Sequence, residues 1–375
     1  MKNFIVPETT LPFLNYIDQC RALIEQRRTD LHALSTQQTA AIVAANSPFE
    51  WPPFPPSTAG RRTGVLLIQG LFDCPFSLRD LGARLQAQGV FCRSVLLPGH
   101  GTTPSDLLQV TYQDWLHTVR YGIETFQQEV DQLFLIGYST GAALSVYHAL
   151  QEHAGIAGIL LLAPALKVKL SVHVFTAWQT LIKNISKNQQ WLLRSGETDY
   201  VKYHSITFNA VAQIIALTEV VEKLLQTHTL SCPVWMSVSD DDEVISSRAA
   251  VQFFQSQSHP ASRLLLYTTK PRREYDIDSR IIQRTSSYPA LHIRHFSHVA
   301  MPFAPDNMHY GQHGDYVAAS HPEAKDYIYG AYNFLTREWY ENLYQLNLVQ
   351  KKRGELTYNP DFDWMAEQVI RFVKA

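Results

Sequence analysis

Residues 132–143 read Gln-Leu-Phe-Leu-Ile-Gly-Tyr-Ser-Thr-Gly-Ala-Ala: an apolar run enters Gly137-Tyr138-Ser139-Thr140-Gly141, and a helix pattern marked by Leu144, Val146 and Leu150 follows. A serine hydroxyl attacks well only when it projects into open space beside a base, and a sharp turn from strand to helix puts it there. Such a turn leaves no room for flanking side chains. Gly137 and Gly141 remove them, Ala142 and Ala143 keep the next step narrow, and the first-turn amides face any oxyanion formed at Ser139. The G-x-S-x-G pattern alone is weak, because a glycine-flanked serine also occurs in ordinary turns. The apolar run before it and the helix pattern after it make Ser139 the candidate nucleophile.

Working outward from this turn, strand and helix patterns alternate. Gly64 to Ile68 reads as a short buried strand, Leu78 to Gln88 as a helix closed by Gly89, and Val90 to Leu97 as a strand ending in Pro98-Gly99-His100-Gly101. Tyr112 to Val130 is a helix pattern, and Gly158 to Leu162 is the strand after the elbow helix. These strands are continuously apolar rather than alternating, which predicts a mostly parallel sheet covered on both faces by helices, an α/β fold. Residues 168–229 break the rhythm with amphipathic helix patterns at Val174 to Ile185 and Phe208 to Leu225 and no obvious buried strand, so a helical cap is expected there. The sheet resumes at Pro233 to Val238, followed by a helix at Ser246 to Gln255 and a strand at Arg263 to Thr268. Residues 269–290 read as polar and irregular, Leu291 to Phe296 as a further apolar strand, 303–358 as an aromatic-rich insert and Phe362 to Val373 as the last helix. The expected organisation is an N-terminal helical arm and Pro-rich connector over 1–60, a core over 61–167 and 230–375 with the late insert at 303–358, and the cap over 168–229.

Composition narrows the function classes. With 375 residues, 46% of them hydrophobic, a sizeable core is available, and a net charge of -2 with no like-charge block longer than Asp240 to Glu243 gives no footprint for nucleic acid. No uncharged apolar run approaches a membrane span, and Met1 to Pro12 has no signal-peptide pattern. Cys20, Cys74, Cys92 and Cys232 lie far apart without metal spacing, which predicts reduced thiols and a cytoplasmic setting.

Ser139 needs a base, and the base needs an orienting carboxylate. In doubly wound sheets functional groups collect at the carboxyl ends of strands, and the strand at 234–238 ends in Ser239-Asp240-Asp241-Asp242-Glu243-Val244. Asp242, at the far end of that loop, is the candidate acid, with Asp240 second. Some of these carboxylates equally suit the cap of the helix beginning near Ser246. His298 in Ser297-His298-Val299 follows the last apolar run and is the candidate base, His309 and His313 being the alternatives. His292, His295 and His298 do not share a face if they lie on a strand, so no metal is expected. Two backbone amides should form the oxyanion hole: Thr140, after the nucleophile, and Leu71 in the loop Gln69-Gly70-Leu71-Phe72 after the first core strand. Gly70, Phe72 and Tyr138 flank these groups and are the candidates for substrate contact.

Taken in order, Gln69-Gly70-Leu71, Leu97-Pro98-Gly99-His100-Gly101, Gly137-Tyr138-Ser139-Thr140-Gly141, Asp242-Glu243-Val244 and Ser297-His298 give the chain a likeness: it resembles the α/β-hydrolase superfamily, nearest to bacterial carboxylesterases and monoacylglycerol lipases. The resemblance covers about residues 62–167 and 230–300 and the last helix. It implies a serine hydrolase of carboxylic esters that works through an acyl-enzyme, with Ser139, Asp242 and His298 as triad and no cofactor. The apolar, aromatic-rich cap (Val174, Phe175, Trp178, Leu181, Trp191, Leu192, Leu193) suits an acyl chain, and suits packing against the core equally well. Three departures stand out: Gln69 replaces the usual histidine, residues 269–296 intervene before His298, and the segments 1–60 and 303–358 exceed the minimal fold. An acyltransferase or thioesterase with the same triad, a binding module without turnover, and an interaction protein built on the arm and the insert, including a homo-oligomer, stay open.

Overall fold

The computed structural model describes residues 3–54, 62–151, 155–169, 190–321, 326–331, 345 and 349–375. Its centre is an eight-stranded sheet in the order β1-β3-β2-β4-β5-β8-β9-β10. The strands are β1 (Phe49–Trp51), β2 (Thr63–Ile68), β3 (Phe91–Val95), β4 (Gln132–Tyr138), β5 (Ile156–Leu162), β8 (Val234–Ser239), β9 (Arg263–Thr268) and β10 (Ile281–Thr285). Two small pairs stand apart: β6 (Trp191–Leu193) runs antiparallel to β7 (Ile206–Thr207), and β11 (Tyr327–Gly330) runs parallel to β12 (Lys352–Glu355). Only β1 is antiparallel in the large sheet; all other pairings there are parallel. Among the described residues the helices are α1 (Phe13–Arg27), α2 (Thr36–Asn46), α3 (Arg79–Gln86), α4 (Tyr112–Gln127), α5 (Thr140–Ala149), α6 (Phe208–Leu225), α7 (Ser247–Ser256), α8 (Asp315–Ser320) and α9 (Phe362–Lys374).

The apolar strand runs account for this arrangement. Val65 to Ile68, Leu135 to Ile136 and Ile159 to Leu162 have no solvent exposure beyond rounding, because helices cover both faces of a parallel sheet. Each such side chain contributes roughly 1.5–3 kcal/mol over its exposed state. α4, which packs on β2 and β3, starts with a capping box, in which the Thr111 hydroxyl accepts the Asp114 amide and Asp114 accepts the Thr111 amide, so two amides at its start are satisfied.

Several expectations are corrected. The strand expected at Leu291 to Phe296 is absent: Pro289–Leu291 is a 3-10 turn and His292 is left-handed with φ 57°. The last strand of the sheet lies instead at β10, inside the stretch expected to be irregular. β10 occupies the sheet edge, where only Ile281 is buried, and an edge strand with polar Gln283, Arg284 and Thr285 carries no apolar run to read. The segment 168–229 was expected to hold no obvious buried strand; the strands within it, β6 and β7, are short and mostly half-buried, α6 matches its expected bounds, and the helix expected at 174–185 lies outside the described residues.

At the N-terminus, β1 extends the sheet inside the stretch expected to be a Pro-rich connector, three residues being too few to show a period. α1 is seated on the core: Tyr16 and Ile24 are fully buried, and the Tyr16 hydroxyl donates to the Leu96 carbonyl at 3.0 Å. Arg93 of β3, 1% exposed, pairs with Glu50 of β1 and with Glu129 and lies 4.2 Å from the Phe13 ring centroid. A buried guanidinium needs paired charge, and these carboxylate partners, which bond its Nε and one of its two terminal nitrogens, tie residues 13–51 to the sheet. All four cysteines are free and buried, and among the described residues no helix is long and apolar enough to cross a membrane.

Candidate active site

The turn after β4 is sharp. Ser139 has φ 53° and ψ -110°, a strained conformation for a residue with a side chain. The neighbouring glycines are sterically required: a Cβ on Gly137 would meet the Gly141 carbonyl carbon at 2.3 Å, and one on Gly141 would meet the Ile68 carbonyl oxygen at 2.0 Å. The strain is held by backbone bonds on both sides, with the Ser139 amide donating to Leu162 at 2.9 Å and its carbonyl accepting from Ala165 at 3.1 Å.

Ser139 Oγ lies 3.0 Å from His298 Nε2, and His298 Nδ1 lies 2.7 Å from Asp242 Oδ2. A carboxylate only accepts, so Nδ1 carries the hydrogen and Nε2 presents a lone pair to the serine hydroxyl. All three groups are buried, Asp242 to 1% exposure. The other oxygen of Asp242 accepts the Val244 and Ile245 amides at 2.8 and 2.9 Å, which fixes the carboxylate plane. Its neighbours in the acidic run do other work. Asp240 pairs with Arg272 at 3.4 Å, and Asp241 accepts from Ser286 at 3.5 Å. The cap of α7 is Ser246 itself.

The loop that carries His298 is anchored along its length. The Ser239 hydroxyl donates to the Phe296 carbonyl at 3.3 Å, the Ala300 amide to the Ser297 hydroxyl at 3.2 Å, and the Tyr138 hydroxyl to the His298 carbonyl at 3.3 Å. Tyr138 is therefore buried beneath the histidine. The His298 amide donates to both oxygens of Glu243, at 3.2 and 3.1 Å. Burial, with Asp242 and Glu355 nearby, pushes the Glu243 carboxyl well above its usual range. In the sequence Glu243 stands in the acidic run and in the Asp242-Glu243-Val244 motif without a role of its own; its bond to the His298 amide is a contact across 55 positions. His309, an alternative base, is instead held between Asp199, at 3.0 Å, and Asp315. His295 Nδ1 accepts the Ala331 amide at 3.0 Å, and among the described residues no group of three or more His, Cys, Asp or Glu is placed to hold a metal ion.

Across from Ser139 lies the loop after β2. A Cβ on Gly70 would sit 3.3 Å from Ser139 Cβ, so the backbone here passes against Ser139. Among the described residues, neither the Leu71 nor the Thr140 amide donates to another protein group; Thr140 opens α5, and the first amides of a helix have no partner within it. Phe72 is left-handed with φ 61°. Gln69, at the position where the resemblance led us to expect histidine, donates from Nε2 to the Asp73 carbonyl at 2.7 Å and so braces the loop.

A mostly parallel sheet flanked by helices, with a nucleophile elbow after its fourth strand, defines an α/β-hydrolase. Residues 60–270, more than half of the chain, match the family described as serine aminopeptidase, S33, and the chain belongs to that family. It is 27% identical over 233 residues to the thermostable monoacylglycerol lipase of Bacillus sp. (strain H-257), covering 61% of this chain and 91% of that one. It is 30% identical over 95 residues to a carboxylesterase of Bacillus subtilis (strain 168), covering 25% of this chain and 39% of that one. Among solved structures, one of the metagenome-derived lipolytic enzymes LipS and LipT superposes with a TM-score of 0.50 at 24% identity, covering 59% of this chain and 87% of that one. This last likeness bears on the fold alone.

Proposed function

We propose that this protein hydrolyses carboxylic esters through a serine acyl-enzyme. The observation that carries the reading is the continuous line of contacts Asp242–His298–Ser139, at 2.7 and 3.0 Å. Ser139 Oγ attacks the ester carbonyl while His298 Nε2 takes its proton, and the amides of Leu71 and Thr140 receive the oxyanion. On collapse the bond to the alcohol breaks, and the alkoxide takes the proton back from His298. A water deprotonated by His298 then attacks the acyl carbon, Ser139 leaves with the proton, and the free acid departs. No cofactor enters this scheme. Asp242 holds the histidine tautomer and stabilises the imidazolium formed twice per turnover. The likeness to a monoacylglycerol lipase over most of that enzyme's length favours acyl esters of a small alcohol over peptides. The organisation into a core over 61–167 and 230–375 with a segment 168–229 covering the acyl site belongs to the same proposal.

The test is a panel of p-nitrophenyl esters of increasing chain length, a monoacylglycerol and an aminoacyl p-nitroanilide, run on wild type, Ser139→Ala and His298→Ala. Turnover of the esters in wild type is expected, with a loss of about a thousandfold or more in either variant. Turnover of the anilide in preference to the esters would overturn the substrate class, and activity retained in His298→Ala would move the base elsewhere.

A further inference from the structure

The oxyanion loop is held by a residue of a different motif. His100, 1% exposed in the Pro98-Gly99-His100-Gly101 loop, accepts the Phe72 amide on Nε2 at 3.1 Å. Its Nδ1 lies 3.2 Å from the carbonyls of both Leu97 and Pro98. Carbonyls only accept, so Nδ1 carries the hydrogen and Nε2 is the free lone pair that faces Phe72. Burial pushes the imidazole down to about 4, against the two carbonyls, so it stays neutral and keeps this polarity at ordinary pH.

The same loop is gripped from the other side. The Tyr203 amide donates to the Phe72 carbonyl at 2.8 Å, and the Tyr203 ring lies parallel to His100, 8° apart in plane with centroids 6.3 Å apart. The Tyr203 hydroxyl accepts the Thr102 amide at 2.8 Å and donates to the Gly99 carbonyl at 3.3 Å, so it fixes the loop that carries His100. Phe72 thus has both its amide and its carbonyl held, which is what a side-chain-bearing residue needs to remain at φ 61°. The preceding amide is that of Leu71, next to Gly70, and Gly70 alone would leave it free to turn.

We infer that His100 is a positioning residue for catalysis: by accepting the Phe72 amide, with Tyr203 as its brace, it aims the Leu71 amide at the oxyanion formed at Ser139. The inference rests on the ester-hydrolase reading above. It places part of the transition-state machinery under the control of the segment at 199–205, which comes far later in the chain than the loop it holds.

Two variants separate this role from a merely structural one. His100→Gln can present an oxygen near the position of Nε2 and so keep an acceptor for Phe72. His100→Asn can present its amide near Nδ1, keeping the local bonds to Leu97 and Pro98 but leaving the Phe72 amide unpaired. Steady-state kinetics on a p-nitrophenyl ester and inhibition by an alkylboronic acid, which forms a tetrahedral adduct, are measured for both variants. His100→Asn is expected to lose about 100-fold in kcat with KM changed less than about threefold, and boronate affinity to fall by the same factor as kcat/KM. His100→Gln is expected to recover at least about tenfold of that kcat loss. An Asn variant as active as the Gln variant or more so, or both within about threefold of wild type, would overturn the inference while leaving the hydrolase reading intact. A wild type inert toward every ester would instead remove the reading on which it rests.

Discussion

Asp242 illustrates how one side chain is selected from a run of similar ones. Four consecutive carboxylates, Asp240 to Glu243, follow β8, but only Asp242 has one oxygen tied by two backbone amides and the other aimed at an imidazole. Replacing it with asparagine keeps the shape and lets the side chain donate, which favours the histidine tautomer that faces Ser139 with a hydrogen instead of a lone pair. Asp242→Asn is therefore expected to lower kcat by about four decades with little change in KM, as read by ester turnover near pH 8; a loss under about tenfold would contradict the role given to Asp242. At this scale Ser139 was legible because its signal is local: the glycines, the apolar run and the helix are contiguous. Asp242 and His298 were legible only through chain order and loop position. His100 was quoted as part of a motif, yet its bond to Phe72 spans 28 positions and leaves no local mark.

At the scale of elements, the elbow is the feature most tightly specified by sterics. A methyl group at Gly141 would enter the carbonyl oxygen of Ile68, a backbone atom at the end of β2 that cannot retreat without breaking the sheet. Gly141→Ala is expected to cost on the order of 3 kcal/mol or more of stability and to abolish ester turnover, as measured by denaturant unfolding alongside kinetics; unchanged stability would mean the turn is looser than described. The central strands were readable for the reason that makes them central, since burial on both faces writes a continuous apolar run. Edges follow another rule. β10 is held by parallel pairing to β9 and by Arg284 bonding to Asp361 at 2.5 and 2.6 Å, interactions that polar residues make. The apolar run at 291–296 misled because its apolar side chains serve loop packing: Phe296 lies between Tyr267 and Tyr288, with centroids 4.6 and 6.0 Å away.

Across the whole molecule, the Ser139 side of the sheet gathers charge from segments distant in sequence. Asp73, in the loop after β2, is 2% exposed and lies 3.8 Å from the Lys202 ammonium, which faces the rings of Phe303 and Tyr310 at 4.8 and 5.0 Å. Burial raises Asp73 to about 6 despite Lys202, the Cys74 amide and the Ser77 hydroxyl, with Asp199 adding to the rise. The folded pKa thus stands above the unfolded value of about 3.9. The sign follows: the contribution to stability is full below pH ~4 and is lost as pH rises through about 6, by on the order of 3 kcal/mol. Asp73→Asn removes that titration, so its melting temperature is expected to gain on wild type between pH 5 and pH 8; a constant or shrinking gap would contradict the environment given to Asp73. The central claim, that Ser139 is the nucleophile activated by His298, is tested most directly by labelling the intact protein with a fluorophosphonate and mapping the adduct by peptide mass spectrometry. The account predicts one adduct, on Ser139, whose formation is abolished in Ser139→Ala and slowed in His298→Ala. An adduct on any other residue, or ester turnover that persists unlabelled and uninhibited, would contradict it.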